Sequence, residues 1–234
     1  MKHTWLLFSF LLLLPALYAQ TALPAGTVLP VRLSTGLNAK KITVGKVVRA
    51  QVMQDIPGTT IRMGAHVTGR VISVSPTRLE LRFDTLVTKQ TRILLTTNLR
   101  ALASMLEVNE AQIPEDGSPR GLPSVLEYTT TQIGGEQVYR GAWIVARGIT
   151  HVGEPTAYGA LGKLNSNPPC RGNDTAQALW LFSTDACGVY GFNDLTIEHF
   201  GRTDPVGTIV LASKTEKINI RAGSGFLLRV NGPD

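Results

Sequence analysis

"LPAGTVLPVRL", residues 23–33, is repeated with changes twice more along the chain, as "IRMGAHVTGRV" at residues 61–71 and "IRAGSGFLLRV" at residues 220–230. Each copy has Gly at its fourth place and Arg at its tenth. The residues after the glycine alternate between apolar and other side chains, which is typical of a β-strand with one buried face. The glycine suits a tight turn with positive φ. Each copy therefore predicts a turn followed by a strand.

Other short alternating segments lie between the copies. They are "VVRAQVM", "RLELRF", "TRILLTT", "TIVLA" and "KINIRA". Short, regular strands separated by turn residues predict a mainly β protein, either a sandwich or a barrel. Because the first and last strands carry the same phrase, we expect the N- and C-terminal strands to close a single barrel or sandwich. Two independent domains are the alternative.

The middle of the chain breaks this pattern. Leucines and an alanine recur there at i, i+3, i+4 and i+7 from Leu99, and Asn98 is a suitable cap, so one amphipathic helix is expected. A proline-rich linker follows it, and residues 153–175 look irregular. The expected division is a first β part at 23–97, a helix and linker at 98–124, and a second β part at 125–231.

Residues 1–19 have a short basic start, an apolar run and a small residue, Ala19, at their end. This pattern predicts a secretory signal peptide cleaved after Ala19. An uncleaved membrane anchor is the alternative, but the run is shorter than the roughly 20 residues that a bilayer span needs. We therefore expect residues 20–234 to form a single exported β-rich domain with no transmembrane segment.

The chain carries a net charge of +6. This excess favours an acidic partner such as an anionic envelope polymer or a membrane face. Nucleic acid is not expected, because no basic run with interleaved aromatic residues occurs. The two cysteines, Cys170 and Cys187, predict one disulfide in an oxidising compartment, worth about 3 kcal/mol. A metal site or a redox pair would need further ligands or a Cys-x-x-Cys spacing.

Arg32, Arg70 and Arg229 occupy the tenth places of the three phrases and have the opposite parity from the apolar residues. We therefore expect them to point outward. They are either solvated arginines beside a barrel wall or a basic stripe that docks an acidic partner.

A second candidate site lies around residues 183–205, where polar side chains gather beside aromatic ones. An apolar wall with a few convergent polar groups is typical of ligand pockets, although the same residues could serve only in turns and packing. The candidate ligand-binding residues are Trp180, Tyr190, Asn193, Asp194, His199 and Arg202.

Three motifs that mark particular enzyme classes are absent from the sequence. It contains no His-Glu-x-x-His pair, no Gly-x-Ser-x-Gly elbow and no glycine-rich phosphate loop between a strand and a helix. We therefore expect no catalytic residue, no metal and no cofactor.

The first half resembles a known family. Pro24 to Thr27, Gly45 to Val52 and Met63 to Val71 are similar to three successive strands of conjugal-transfer TrbI-type proteins, the outer-channel β-barrel components of type IV secretion. The same strand motif occurs in uncharacterised exported bacterial proteins, which the second half also resembles. The resemblance implies a β-barrel and a bacterial source, and a function only weakly.

These observations predict an exported, non-enzymatic β-protein of the cell envelope, periplasmic or extracellular, that binds or assembles with an envelope polymer or protein. Two alternatives stay open. One is a TrbI-like secretion-channel ring component, which would form a homo-oligomer. The other is an envelope hydrolase that uses the 183–205 cluster.

Overall fold

A computed structural model of the chain describes residues 23–56, 58–111, 128–134, 136–140, 145–147, 150–156, 159–163, 176–179, 181–183, 186–215 and 217–232. Within these residues the protein is mainly β with one short helix, as predicted. The elements are β1 (Val28–Leu33), β2 (Leu37–Asn38), β3 (Val47–Val52), β4 (His66–Ser75), β5 (Arg78–Val87), β6 (Arg92–Leu94), β7 (Thr97–Ala103), α1 (Met105–Glu110), β8 (Tyr128–Gln132), β9 (Glu136–Arg140), β10 (Val145–Arg147), β11 (Thr150–Thr156), β12 (Gly159–Lys163), β13 (Ala176–Leu179), β14 (Gly188–Tyr190), β15 (Leu195–His199), β16 (Ile209–Ser213), β17 (Asn219–Ile220) and β18 (Gly225–Val230).

Ten strands form one large sheet in the order β14-β7-β18-β1-β3-β4-β5-β16-β15, with β6 paired to β5. Its two end strands, β14 and β15, are consecutive in the chain, so residues 191–194 connect the ends and the sheet nearly closes into a barrel. β1 pairs with β18 antiparallel, with Leu29 opposite Leu228. The predicted closure by the N- and C-terminal strands is therefore confirmed.

The three repeated phrases have the same local structure. Gly26, Gly64 and Gly223 have φ values of 85°, 85° and 94°, and each precedes its strand. This is the left-handed region that favours glycine, as the sequence predicts. The strands of the first and third phrases are neighbours, whereas β3 separates the second phrase's strand, β4, from β1.

The inner face of this sheet encloses the main hydrophobic core. The alternating apolar residues of the predicted strands point into it, and two aromatic rings, Phe83 and Phe226, meet edge to face with centroids 5.6 Å apart. Gly69 is also on this face, at a β-bulge where a Cβ would lie 1.8 Å from the carbonyl oxygen of Arg82. Only glycine fits there.

A second, smaller core covers the outer face of β7, β18 and β1. Its members come from those strands, from α1 and from short segments near residues 133 and 181–186: Val28, Ala101, Ala103, Val108, Ala111, Ile133, Leu181, Phe182, Ala186 and Leu227. A Cβ at Gly225 would lie 2.8 Å from Val108 and 3.2 Å from Phe182, so the covering layer packs closely on β18. We call these three strands the covered half of the sheet.

A separate six-stranded sheet follows the order β13-β12-β11-β10-β9-β8. These strands lie within the predicted second β part at 125–231, but the expectation that residues 153–175 are irregular is wrong for 153–156 and 159–163, which lie in β11 and β12. Glycines and Pro155 in these strands hide the alternation that identifies other strands. Just after β8, Ile133 forms a parallel β-bridge with Phe182, and both residues belong to the second core.

The helix predicted from Asn98 begins only at Met105. Residues 97–103 instead form β7, which is buried along its whole length between β14 and β18. A strand buried on both faces has apolar residues at every position, so the helical spacing from Leu99 was a coincidence. Ser104 caps α1 by accepting a hydrogen bond from the Glu107 amide, and Leu106 is 70% exposed.

Several predictions concern residues outside the described ranges. The signal peptide at 1–19, the linker after residue 111, Cys170 and Trp180 all lie there. Among the described residues no cysteine is free, but the pairing of Cys187 with Cys170 stays a prediction. In the described part of the chain no helix has the length and apolar character needed to cross a membrane.

Candidate functional site

The outer face of β3, β4, β5 and β6, together with Arg32 near the end of β1, carries arginines in place of a covering layer. Each of these arginines has the opposite parity from the buried residues of its own strand, and each is exposed. We call this surface the basic face, and its residues are Arg32, Arg49, Arg70, Arg82 and Arg92. Strand pairing keeps them on one continuous surface, because β1, β3, β4, β5 and β6 are neighbours in that order.

Two charges of the basic face oppose each other directly. Arg70 of β4 and Arg82 of β5 are register partners. Like charges in directly opposed positions destabilise a strand pair. Asp84 offsets part of this repulsion, since its Oδ2 lies 3.4 Å from Nε of Arg70.

Acidic residues are few on the same strands. β1, β3, β4 and β6 contain none, and β5 contains only Glu80 and Asp84. Glu80 shares the outer face with Arg82, and it accepts from Arg78 at the start of β5. The surface around Arg49, Arg70 and Arg82 is therefore net positive and open to solvent.

The proposed stripe of three arginines is divided by the fold. Arg32 and Arg70 belong to the basic face, as expected. Arg229 lies on the covered half, opposite Val28 and Asn98, and is half-buried. Burial, and then the charge of Arg202, lower the pKa of Arg229. Arg229 therefore occupies a different environment from the other two.

Two described residues of the predicted ligand cluster, Tyr190 and His199, contact nearby backbone groups. The Tyr190 hydroxyl donates to the carbonyl oxygen of Cys187 at 3.1 Å and accepts from its amide at 2.9 Å. Nδ1 of His199 lies 2.7 Å from the carbonyl oxygen of Thr208 and 3.1 Å from the amide of Gly201. Both side chains therefore form hydrogen bonds with nearby backbone groups, which is a structural role.

Asn193 and Asp194 do line an open cleft of about 320 Å³ at one end of the barrel-like sheet. Oδ2 of Asp194 already accepts from the Thr215 hydroxyl at 2.7 Å, and the Asp194 carbonyl oxygen accepts from the amide of Lys214. The carboxylate therefore fixes the turn after β16. Besides Asp194, the exposed polar residues that line the cleft are Asn193, Lys217 and Asn219.

Arg202 lies apart from that cleft. Its guanidinium carbon stacks 4.9 Å from the centre of the Phe200 ring. This cation–π contact fixes Arg202 on the loop between β15 and β16. Arg202 is therefore not among the residues that line the cleft with Asn193 and Asp194.

Within the described ranges, His, Cys, Asp and Glu side chains do not gather in any group of three that could hold a metal ion. Sequence reasoning assigned Arg49, Arg82 and Arg92 to no site. The sequence did contain a signal for them, because each of these arginines alternates with apolar residues in a predicted strand and so should point outward.

A comparison with known protein families, curated proteins and solved structures finds no match to this chain. The resemblance to TrbI-type proteins therefore stays a prediction based on three short strands.

Proposed function

We propose that this chain is an exported, non-enzymatic β-protein of the cell envelope that binds a linear anionic polymer through its basic face. The single observation that supports this proposal is the open surface formed by Arg32, Arg49, Arg70, Arg82 and Arg92. A run of exposed guanidinium groups on a rigid sheet matches the regularly spaced charges of such a polymer.

Charge placement favours binding over a role in folding. Arg70 and Arg82 oppose each other across two strands, which is unfavourable for sheet stability. A polymer that carries phosphate groups along its length would neutralise both guanidinium groups together. The binding energy would come from many weak, exposed contacts, so affinity would fall as salt is raised.

The test uses the full chain and long-chain polyphosphate as the probe, with affinity measured by calorimetry at several salt concentrations. The variant Arg49→Gln/Arg70→Gln/Arg82→Gln removes three charges from the basic face. We expect about a tenfold or greater loss of affinity and a weaker salt dependence, at up to about 1 kcal/mol for each exposed contact.

A matched control loses the same charge elsewhere. Lys41, Lys214 and Arg221 are exposed and lie off the basic face, so Lys41→Gln/Lys214→Gln/Arg221→Gln should bind almost as well as the unchanged chain. Equal losses in both variants would mean that net charge alone attracts the polymer. An unchanged affinity in the first variant would place binding on another surface. Either result rejects the proposal.

The ring-component and hydrolase hypotheses stay predictions, because no feature of the described residues favours either over polymer binding. Size-exclusion chromatography with light scattering tests the ring-component hypothesis, because a protein that stays monomeric cannot form a ring. The variant Asp194→Asn/His199→Gln tests the second if turnover of an envelope substrate is found.

A further inference from the structure

The open cleft at one end of the barrel-like sheet has two walls, and neighbouring elements hold each of them in place. One wall is the connection between β14 and β15, where a Cβ at Gly191 would lie 2.4 Å from the Ser104 hydroxyl at the N-cap of α1. The other wall is the segment 217–220, which includes β17 and pairs with β2. The two walls meet where Leu195 lies opposite Ser213 in the register of β15 and β16. The cleft is therefore formed by the fold itself.

The floor of the cleft is apolar. Leu195, Ile218 and Ile220 line it, and each of them is a buried member of the main hydrophobic core. Phe192 also lines the cleft, packs against the same core and is half-buried. An apolar floor that includes an aromatic ring suits the C–H face of a cyclic ligand.

Four exposed residues around this floor carry polar groups that the fold uses little. In the described part of the chain, no hydrogen bond or ion pair engages the carboxamide of Asn193 or the ammonium group of Lys217. Asp194 uses only Oδ2 in the turn after β16, and Asn219 uses only Oδ1, which accepts from Asn38 at 3.4 Å. Oδ1 of Asp194 and Nδ2 of Asn219 therefore have no partner among the described residues. We call these four residues the polar rim of the cleft.

The charges of the polar rim cancel. Asp194 contributes one negative charge and Lys217 one positive charge, and neither belongs to an ion pair of the described residues. A strongly charged ligand is therefore not favoured over a neutral one. A hydroxyl group both donates and accepts, so a neutral ligand with several hydroxyl groups can bond the carboxylate, the ammonium group and both carboxamides.

The volume of the cleft limits the size of such a ligand. It is about 320 Å³, which is at the lower end of the roughly 300–1,000 Å³ that is typical of ligand pockets. We therefore expect room for one ring and not for an extended chain.

We propose that the cleft binds a single pyranose sugar ring, whose hydroxyl groups contact the polar rim and whose C–H face packs on Phe192. A free amino acid would match the two charges of the polar rim but would leave its carboxamides unused. The cleft shares no residue with the basic face, so this proposal does not rest on the proposed polymer binding.

The first experiment titrates the full chain with glucose, galactose and N-acetylglucosamine, and follows the backbone amide signals by NMR. Glycerol has hydroxyl groups without a ring, and leucine has two charges and an apolar side chain, so both serve as comparison ligands. We expect at least one sugar to bind about tenfold or more tightly than glycerol and leucine, because it contacts both the polar rim and the apolar floor. The largest changes in chemical shift should occur at residues 191–195 and 217–220.

The second experiment removes part of the polar rim. Asn193→Ala/Lys217→Met takes away two exposed polar groups and leaves the apolar floor unchanged. We expect this variant to bind the sugar about tenfold or more weakly, and Asn193→Ala alone to give a smaller loss, because each variant loses hydrogen bonds to the hydroxyl groups.

A matched control loses the same kinds of group at the other end of the sheet. Lys89 and Gln90 are exposed in the turn that follows β5, whereas the cleft lies near the start of β5, where the Ile218 amide donates to the carbonyl oxygen of Pro76. Lys89→Met/Gln90→Ala should therefore bind the sugar as tightly as the unchanged chain.

The two proposals of this article can fail separately. The Arg49→Gln/Arg70→Gln/Arg82→Gln variant should still bind the sugar, because it leaves the cleft intact. Asn193→Ala/Lys217→Met should still bind polyphosphate, because it leaves the basic face intact.

Three results would overturn the sugar-binding proposal. The first is that none of the three sugars binds the unchanged chain more tightly than glycerol does. The second is that leucine binds more tightly than every sugar, which would assign the cleft to a ligand with two opposite charges. The third is sugar binding that Asn193→Ala/Lys217→Met leaves unaltered, or that the Lys89→Met/Gln90→Ala control weakens by the same factor.

Discussion

The two halves of the large sheet use the same inner face and differ on the outer one. In β3, β4 and β5 the outer residues are exposed or half-exposed for most of their length, and alternation in the sequence matches alternation in burial. In β7, β18 and β1 nearly every residue is buried, because α1 and residues near 133 and 182 cover the outer face. We call β3, β4 and β5 the open half.

Because of this difference, we expect the covered half to contribute more to stability and the open half to contribute more to binding. The covered half contributes two layers of apolar contact. The open half contributes one layer and leaves its outer positions free to carry charge. Substitutions at outer positions should therefore be costly in one half and tolerated in the other.

The largest expected effect comes from Leu227→Asp. Leu227 has outward parity but is fully buried in the second core. Placing a carboxylate there buries a charge without a partner, and we expect a loss of at least about 4 kcal/mol in the free energy of unfolding. Urea denaturation followed by circular dichroism measures this.

The control is Gln51→Asp, at an outer position of the open half. Gln51 lies opposite Arg32 in the register, so the new carboxylate gains a cross-strand partner. We expect a change below about 1 kcal/mol. Similar losses in the free energy of unfolding for Leu227→Asp and Gln51→Asp would show that outer positions are equally sensitive to substitution in both halves.

The sequence predicts the inner face of both halves but not the cover of one. Val28 and Leu227 have the parity of solvent-facing residues, and only segments far away in the chain, such as Phe182, bury them. For the same reason β7 carries no alternation and resembles a helix. Local patterns record which side chains are apolar, whereas the partner that buries them depends on tertiary structure.

The candidate sites follow the same rule. Arg32 and Arg70 were predictable because the open half obeys simple alternation. The position of Arg202 was not, since it lies on a loop that Asn231 anchors to the end of β18.

A second prediction concerns how tightly the cover packs. In Gly225→Ala the new Cβ would lie 2.8 Å from Val108 and 3.2 Å from Phe182, so the covering layer must shift. We expect a loss of about 2 kcal/mol in the free energy of unfolding, typical of overpacking.

Gly36→Ala is the matched control for this substitution. Its Cβ would meet only ordinary contacts at 3.5 Å or more, and its φ is not in the left-handed region. Thermal denaturation of both variants should show a clear decrease in Tm for Gly225→Ala alone. An unchanged Tm for Gly225→Ala would mean that the covering layer can shift without loss of stability and is therefore loosely packed on β18.

A third, smaller effect is expected at the cap of α1. The Ser104 hydroxyl accepts from the Glu107 amide at 3.3 Å, and Ser104→Ala removes this contact at a cost of about 1 kcal/mol. Hydrogen exchange of the Val108 amide, which bonds the Ser104 carbonyl oxygen, should become faster. Ser73→Ala, at an exposed position of β4, should change stability by less than about 0.5 kcal/mol. If Ser104→Ala were as stable as Ser73→Ala, the N-cap of α1 would not contribute to the stability of the covering layer.

The smallest effect is expected in the open half, at the ion pair between Arg70 and Asp84. The side chain of Arg70 is 61% exposed and that of Asp84 is 27% exposed, so solvent screens their attraction. A double-mutant cycle with Arg70→Gln and Asp84→Asn should give a coupling free energy of about 0.5 kcal/mol that falls as salt is raised. Arg70→Gln also removes a like charge opposite Arg82, so this single variant should be as stable as the unchanged chain, or slightly more stable, while it binds polyphosphate less tightly. A coupling of several kcal/mol, with loss of folding in Arg70→Gln, would instead make Arg70 a structural residue, and the open half would then contribute to stability in the same way as the covered half.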